Sequence, residues 1–262
     1  MLYQNRAFKY GDGLFETIRV RNKEALHLER HFARLSKGLS VLQMQPSTNP
    51  FSFKDFSAII NNFIAESSNA NLRIRITFFR PVGGLYTPKE HAFNYYIESN
   101  ALDENYALNE KGQRIGVCKG VRLSMDALSN LKTTSALPYV LAGLEKKAAD
   151  WDDCLILNAQ ERIAESIAAN IFIIKGNNIY TPPLTEGCVE GVLRSFLIEQ
   201  LEKDTTFNLL EQPLCLDDLY AADELFLTNA IRGIQWIKNI DGIHKNYRSE
   251  RIRMLYKRYL LP

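Results

Sequence analysis

Glu165-Ser-Ile-Ala-Ala-Asn170-Ile-Phe-Ile-Ile-Lys175-Gly-Asn-Asn-Ile179-Tyr-Thr181-Pro-Pro183, followed closely by Val189-Glu-Gly191-Val-Leu-Arg194, is the stretch that decides the fold. Arg162 to Ser166 and Asn170 to Lys175 are apolar or alternating and predict strands. Gly176-Asn177-Asn178 accepts positive φ and turns the chain back into Ile179-Tyr180-Thr181, where Pro182-Pro183 stops the sheet. Gly191 then precedes a helix running to Lys203. The run therefore sets a carboxylate, Glu165, at one end and a glycine-led helix start at the other. A pyridine-type nitrogen that must stay protonated needs an ionised carboxylate against it. A phosphate needs donors converging without bulk, which the amides of Val192 and Leu193 after Gly191 supply at a helix N-terminus. The ordinary alternatives are a surface glutamate at a strand end and a plain glycine turn.

Working outward, Leu14 to Val20 predicts a strand, Asn22-Lys23 a turn, and Leu28, Phe32, Leu35, Leu39 and Leu42 an amphipathic helix. A second helix is expected over Phe53 to Ala65. Leu72 to Phe79 alternates, with Leu72, Ile74, Ile76 and Phe78 on one face and Arg73 and Arg75 on the other. Phe93 to Ile97 is a further strand. Ser99 to Gly112 is polar, acidic and aperiodic, so a domain boundary is placed near Tyr106: a smaller α/β domain over 1–106 and a larger one over 107–262. Beyond it come a strand over Arg114 to Val121, a helix over Ser135 to Ala149 with Pro138 in its first turn, and a short apolar strand, Cys154 to Leu157. Glu224 to Thr228 and Gln235 to Ile240 predict strands, and Ser249 to Leu261 a closing helix with Ser249 as N-cap.

The chain has 262 residues and 46% hydrophobic content, enough to bury a sizeable core. Its 32 basic and 30 acidic side chains leave a net charge of +2, no electrostatic footprint for nucleic acid. Cys118, Cys154, Cys188 and Cys215 form no C-x-x-C pair and are expected to be buried thiols, not a disulfide framework or zinc site. Polar Tyr3-Gln4-Asn5-Arg6 follows Met1-Leu2, and no stretch approaches the roughly 18 apolar residues of a membrane span, which predicts a cytoplasmic protein without membrane association.

Lys132, 33 residues before Glu165, lies just ahead of a predicted helix start, where the macrodipole and unpaired amides disfavour an ammonium group. A lysine so depressed is suited to covalent attachment of a carbonyl compound; from position alone a solvated loop lysine is the commoner case. Arg34 on the first long helix is either a solvated charge or the bidentate partner of a phosphate. Arg19, Arg75 and Arg232 are candidate anchors for a substrate carboxylate. Gly11-Asp12-Gly13 precedes a strand instead of linking strand to helix, which excludes a dinucleotide cradle. His27, His31, His91 and His244 lack metal-ligand spacing and are expected to be surface or packing residues; no metal is expected.

With these residues in view, the chain from Tyr10 nearly to its end resembles the fold-type IV (class IV) pyridoxal-phosphate enzymes. These include branched-chain and D-amino-acid aminotransferases and 4-amino-4-deoxychorismate lyases. Tyr10-Gly-Asp-Gly-Leu-Phe15-Glu looks like the family's opening strand, His31-Phe-Ala-Arg34-Leu35 like its H-x-x-R-L helix, and Asn130-Leu-Lys132 like its lysine segment. The resemblance implies an α/β (α+β), two-domain, D-amino-acid-aminotransferase-like fold, pyridoxal 5'-phosphate as cofactor, and a homodimer. It makes Lys132 the catalytic lysine bound to the cofactor, Glu165 the ring-nitrogen partner, and Arg34, Val192 and Leu193 the phosphate ligands.

Within the family, Thr228-Asn229-Ala230, Ala168-Ala169-Asn170 and Gly191-Val192-Leu193-Arg194 look like the lyase. Leu137 stands where branched-chain enzymes usually carry a tyrosine, whereas Leu85 and Ser135 depart from the lyase pattern. An N-terminal hairpin usual in the family is expected to be absent or shortened. The expected activity is conversion of 4-amino-4-deoxychorismate to 4-aminobenzoate and pyruvate, a step of folate biosynthesis. The alternatives are an aminotransferase of branched-chain or D-amino acids and a noncatalytic scaffold that kept the fold.

Overall fold

The alternation that predicts the Leu72 strand and the apolar stripe of the first long helix meet in one core. The structure, a computed structural model, describes residues 5–46, 50–103, 105–243 and 245–261. His244 lies outside the described residues. Contacts divide the chain into two units, Met1–Asn105 with Leu131–Ala136, and Tyr106–Asn130 with Leu137–Pro262. Lys132 is thus grouped with the first unit, not with the larger C-terminal one that the sequence suggests. The physical reason is backbone pairing: Phe15 N donates to Lys132 O at 2.9 Å, Thr134 N to Gly13 O at 2.9 Å, and Leu131 packs into the first unit's core.

The first unit contains α1 (Arg6–Tyr10), β1 (Gly13–Arg21), β2 (Glu24–Ala25), α2 (Leu28–Val41), α3 (Phe53–Glu66), β3 (Leu72–Phe79) and β4 (Asn94–Ala101). Its strands form one antiparallel sheet in the order β2-β1-β3-β4. Leu14 lies opposite Phe78, Ile18 opposite Ile74 and Val20 opposite Leu72, so the even-numbered positions build the core with Leu35, Leu39, Phe56, Ile60 and Ile64 of the helices. Phe56 and Phe78 are fully buried and contribute about 1.5–3 kcal/mol each. Gly38 lets α2 approach β1, since a Cβ there would lie 2.8 Å from Leu14 Cδ1. Ser52 and Asp55 form a capping box that starts α3.

The second unit contains β5 (Gln113–Val117), α4 (Leu137–Ala148), β6 (Asp153–Leu157), β7 (Ile163–Ser166), β8 (Asn170–Lys175), β9 (Asn178–Thr181), a 3-10 turn (Leu184–Glu186), α5 (Val192–Glu202), β10 (Asn208–Glu211), α6 (Leu216–Ala221), β11 (Glu224–Asn229), β12 (Gly233–Ile240) and α7 (Glu250–Tyr259). Its strands follow the order β10-β9-β8-β11-β12-β5-β6-β7. In a flat sheet β7 and β8, five strand steps apart, would be separated by about 24 Å. Only residues 167–169 join them, a link reaching about 14 Å at most. The sheet therefore curls back on itself, and Ser166 N donates to Ala169 O across the seam at 2.8 Å. Strand β6 is buried on both faces: Leu155 and Leu157 enter one core cluster, and Cys154 and Ile156 another beside Ala142 of α4.

Several elements depart from expectation. Strand β4 runs on to Ala101, through residues read as linker, because it is an exposed edge strand and tolerates polar side chains. The helix expected from Ser135 begins at Leu137. Short α1, β2, β10 and α6 carry too little periodicity to be read. Ser249 occupies the N-cap of α7, as its position suggests, but its side chain makes no capping bond. The carboxylate of Glu224 on β11 accepts from Arg251 N and Ile252 N instead, both at 3.0 Å. No described helix is long and apolar enough to cross a membrane.

Candidate active site

In the first unit, β1 and α2 place three charged or titratable side chains where an alternating strand and a helical stripe would ordinarily put apolar ones. Glu16 sits between core residues Leu14 and Ile18, and His31 and Arg34, one helical turn apart, meet it from α2. Arg34 Nε donates to Glu16 Oε1 at 2.8 Å and Nη2 to Oε2 at 2.5 Å, and His31 Nδ1 lies 2.6 Å from Oε2. Burial would raise the Glu16 carboxyl, but the Arg34 charge and the bonds from His31 and Arg34 outweigh it and hold it at about 2. Burial pushes His31 below its ordinary value despite Glu16. A neutral imidazole facing a carboxylate carries its proton on Nδ1, so the buried Nε2, which has no hydrogen-bond partner, is an acceptor. Arg34 is buried and paired, which overturns the solvated alternative; His31 is an interior polar residue.

Lys132 is half-buried, with Nζ 4.7 Å from the ring centroid of Phe15. Arg75 Cζ lies 3.6 Å from the same centroid, and its Nε is 3.8 Å from Glu98 Oε1. Register places Thr17 opposite Arg75 and Arg19 opposite Arg73, so these residues share the sheet face turned away from the core. Arg19 is buried and donates Nη2 to Asp103 O at 2.7 Å. Asp12 of the glycine pair carries Arg6 and Arg80.

In the second unit, Glu165 on β7 lies opposite Ile156 and is buried. It accepts from Tyr139 Oη at 2.6 Å on Oε1, and from Val189 N at 3.1 Å and Asn170 Nδ2 at 3.4 Å on Oε2. Asn170 Nδ2 also donates to Val189 O at 2.9 Å. Its other end fixes Gly191, where a Cβ would lie 1.8 Å from Asn170 Oδ1. Gly191 is the N-cap of α5, no side chain caps the first turn, and Val192 and Leu193 are buried. Carboxylate and helix start are thereby joined through one asparagine. Arg232 is exposed, its N donating to Asn229 Oδ1 at 2.7 Å. Burial pushes the Cys188 thiol, beside Glu165, up to about 12, and Cys154 likewise. Cys215 is exposed, unlike the other three, and corrects the expectation of four buried thiols. Among the described residues no group of His, Cys, Asp or Glu could hold a metal ion.

Sequence reasoning missed Glu16 and Tyr139. An acid at a core position of an alternating strand was a legible signal for the first; nothing local marks the second.

The profile of the class IV aminotransferases matches residues 13–240, from the first residue of β1 to the last of β12. The chain belongs to this family. An aminodeoxychorismate lyase of Vibrio harveyi is 28% identical over 245 residues, covering 91% of this chain and 86% of its own. A branched-chain-amino-acid aminotransferase of Pseudomonas aeruginosa is 27% identical over 243 residues, covering 89% and 77%. The crystal structure of 4-amino-4-deoxychorismate lyase from Pseudomonas aeruginosa superposes with a TM-score of 0.82 at 27% identity, covering 97% of this chain and 92% of the other. As a class IV member the chain is a pyridoxal-phosphate-dependent enzyme. Its residues fit that cofactor: three donors satisfy Glu165 as an anion, and α5 begins with amides that no side chain caps, beside a glycine that admits no side chain.

Proposed function

We propose that this enzyme is a 4-amino-4-deoxychorismate lyase, releasing 4-aminobenzoate and pyruvate, and that it acts as a homodimer in the cytoplasm. One contact carries the reading. Asn229 Nδ2 donates to Ala168 O at 3.2 Å, while Asn229 Oδ1 accepts from Ile231 N and Arg232 N. Two of the three lyase-like stretches, those at Ala168 and Asn229, are thus one structure, in which the asparagine amide is consumed by the backbone. The small side chains around it, Ala168, Ala169 and Ala230, offer no hydroxyl to an amino-acid carboxylate.

When bound, pyridoxal phosphate supplies a conjugated ring that accepts the electron pair released at the substrate carbon. Lys132 would hold the cofactor covalently, and its Nζ would move a proton as general acid and base. Glu165 would keep the proton on the ring nitrogen. The amides of Val192 and Leu193, together with the Arg34 guanidinium, would hold the phosphate. Arg75, beside the ring of Phe15 that also faces Lys132, is the favoured anchor for a substrate carboxylate, and Arg232 the second candidate.

The test is a product assay with purified holoenzyme, offering 4-amino-4-deoxychorismate in one arm and branched-chain or D-amino acids with a keto-acid acceptor in the other. Formation of 4-aminobenzoate and pyruvate supports the lyase. Transamination without aminobenzoate sinks it in favour of an aminotransferase.

A further inference from the structure

Both carboxylate oxygens of Glu165 accept hydrogen bonds. Oε2 receives Val189 N and Asn170 Nδ2, whereas Oε1 receives the hydroxyl of Tyr139 at 2.6 Å, the shortest of the three bonds. Tyr139 stands in the first turn of α4, its half-buried ring packed against the cluster of Cys118, Leu123, Ala142, Cys154, Ile156 and Ala164. Ring and hydroxyl thus have separate tasks: the ring fills a hydrophobic cluster, and the hydroxyl reaches past it to an ionisable group.

We propose that Tyr139 is a positioning residue of the catalytic site, acting through Glu165 to fix the rotation of its carboxylate and to keep the proton on the cofactor's ring nitrogen. The inference rests on Glu165 being the ring-nitrogen partner. Its chemistry is a competition for one proton between a carboxylate and a heterocyclic nitrogen. Donors to the carboxylate stabilise the anion and leave the proton on the nitrogen. Without the Tyr139 hydroxyl, the buried Oε1 loses this donor, the carboxylate becomes a stronger base, and the ring loses electron-accepting power. Tyr139 suits the task because burial, and then the Glu165 charge, push its phenol far above the usual tyrosine value. It therefore donates throughout the working pH range. Another titratable group against Glu165, the Cys188 thiol, is also held protonated, so Glu165 faces no competing negative charge from it.

Tyr139→Phe keeps the ring and removes only the hydroxyl. The expected result is a fall in kcat of about tenfold or more at nearly unchanged KM. The absorbance of the bound cofactor should shift toward that of the unprotonated ring, at a melting temperature close to wild type. A second readout needs no turnover: pyridoxal-phosphate affinity of the apoprotein, measured by titration, should fall in Tyr139→Phe and further in Glu165→Gln. If Tyr139→Phe matches wild type in kcat, cofactor spectrum and affinity while Glu165→Gln is impaired in all three, the role of Tyr139 is overturned and that of Glu165 stands. If Glu165→Gln is itself silent in spectrum and affinity, the underlying assignment fails and this inference with it.

Discussion

Arg34 closes on both carboxylate oxygens of Glu16, through Nε at 2.8 Å and Nη2 at 2.5 Å, in the interior of the first unit. A buried fork of this kind costs desolvation of both partners, and losing one partner strands the other. The Glu16 carboxyl stands at about 2 in the fold against an ordinary 4.5. Its stabilisation is therefore complete above pH 4.5 and lost as the pH falls from there toward 2. Glu16→Gln should cost on the order of 3 kcal/mol at neutral pH and flatten the acid limb of stability. Urea midpoints between pH 2 and 7 check this; parallel acid limbs in variant and wild type would refute it.

Lys132 should be the residue labelled when holoenzyme is reduced with borohydride and its peptides are mapped. Lys132→Ala should lower turnover by about 10²–10⁴-fold through loss of the proton-carrying amine. A label on any other lysine rules out the assignment.

Gly191→Ala should act at two sites. The new methyl would meet Asn170 Oδ1, and the asparagine could yield only by weakening its bonds to Val189 O and Glu165. The expected cost is about 1–3 kcal/mol of stability, as in other overpacked interiors. Cofactor affinity should fall as well, and calorimetric melting paired with apoprotein titration measures both.

Glu224→Ala removes the acceptor for two first-turn amides of α7 and should cost about 1–2 kcal/mol. Faster hydrogen exchange at Arg251 and Ile252, with Ser249→Ala nearly silent, is the expected pattern. The reverse ranking would show that Ser249 is the cap after all.

What could be read from the chain is what its short-range pattern encodes. Leu72 to Phe79 alternates because one face meets α2 and α3, and its boundaries emerge unchanged. The α2 stripe is similarly legible. The failures share a cause: the deciding partner is distant in sequence. Arg34 looks solvated until Glu16, 18 residues away, is placed beside it, and Tyr139 looks like core until Glu165, 26 residues on, is found at its hydroxyl. Asn208–Glu211 has no periodicity of its own and is a strand only because it pairs with Asn178–Thr181. Ser249 fits a local capping rule that a long-range carboxylate overrides.

The three-residue link between β7 and β8 joins Glu165 and Asn170 at the seam of the curled sheet. Ala168 of that strap also accepts the Asn229 amide, so a change in its length would disturb the carboxylate and the asparagine contact together. Reactivity and selectivity would thus be geared to one another on this scaffold: a relative could not retune its electron sink at the strap without also moving the groups that choose its substrate.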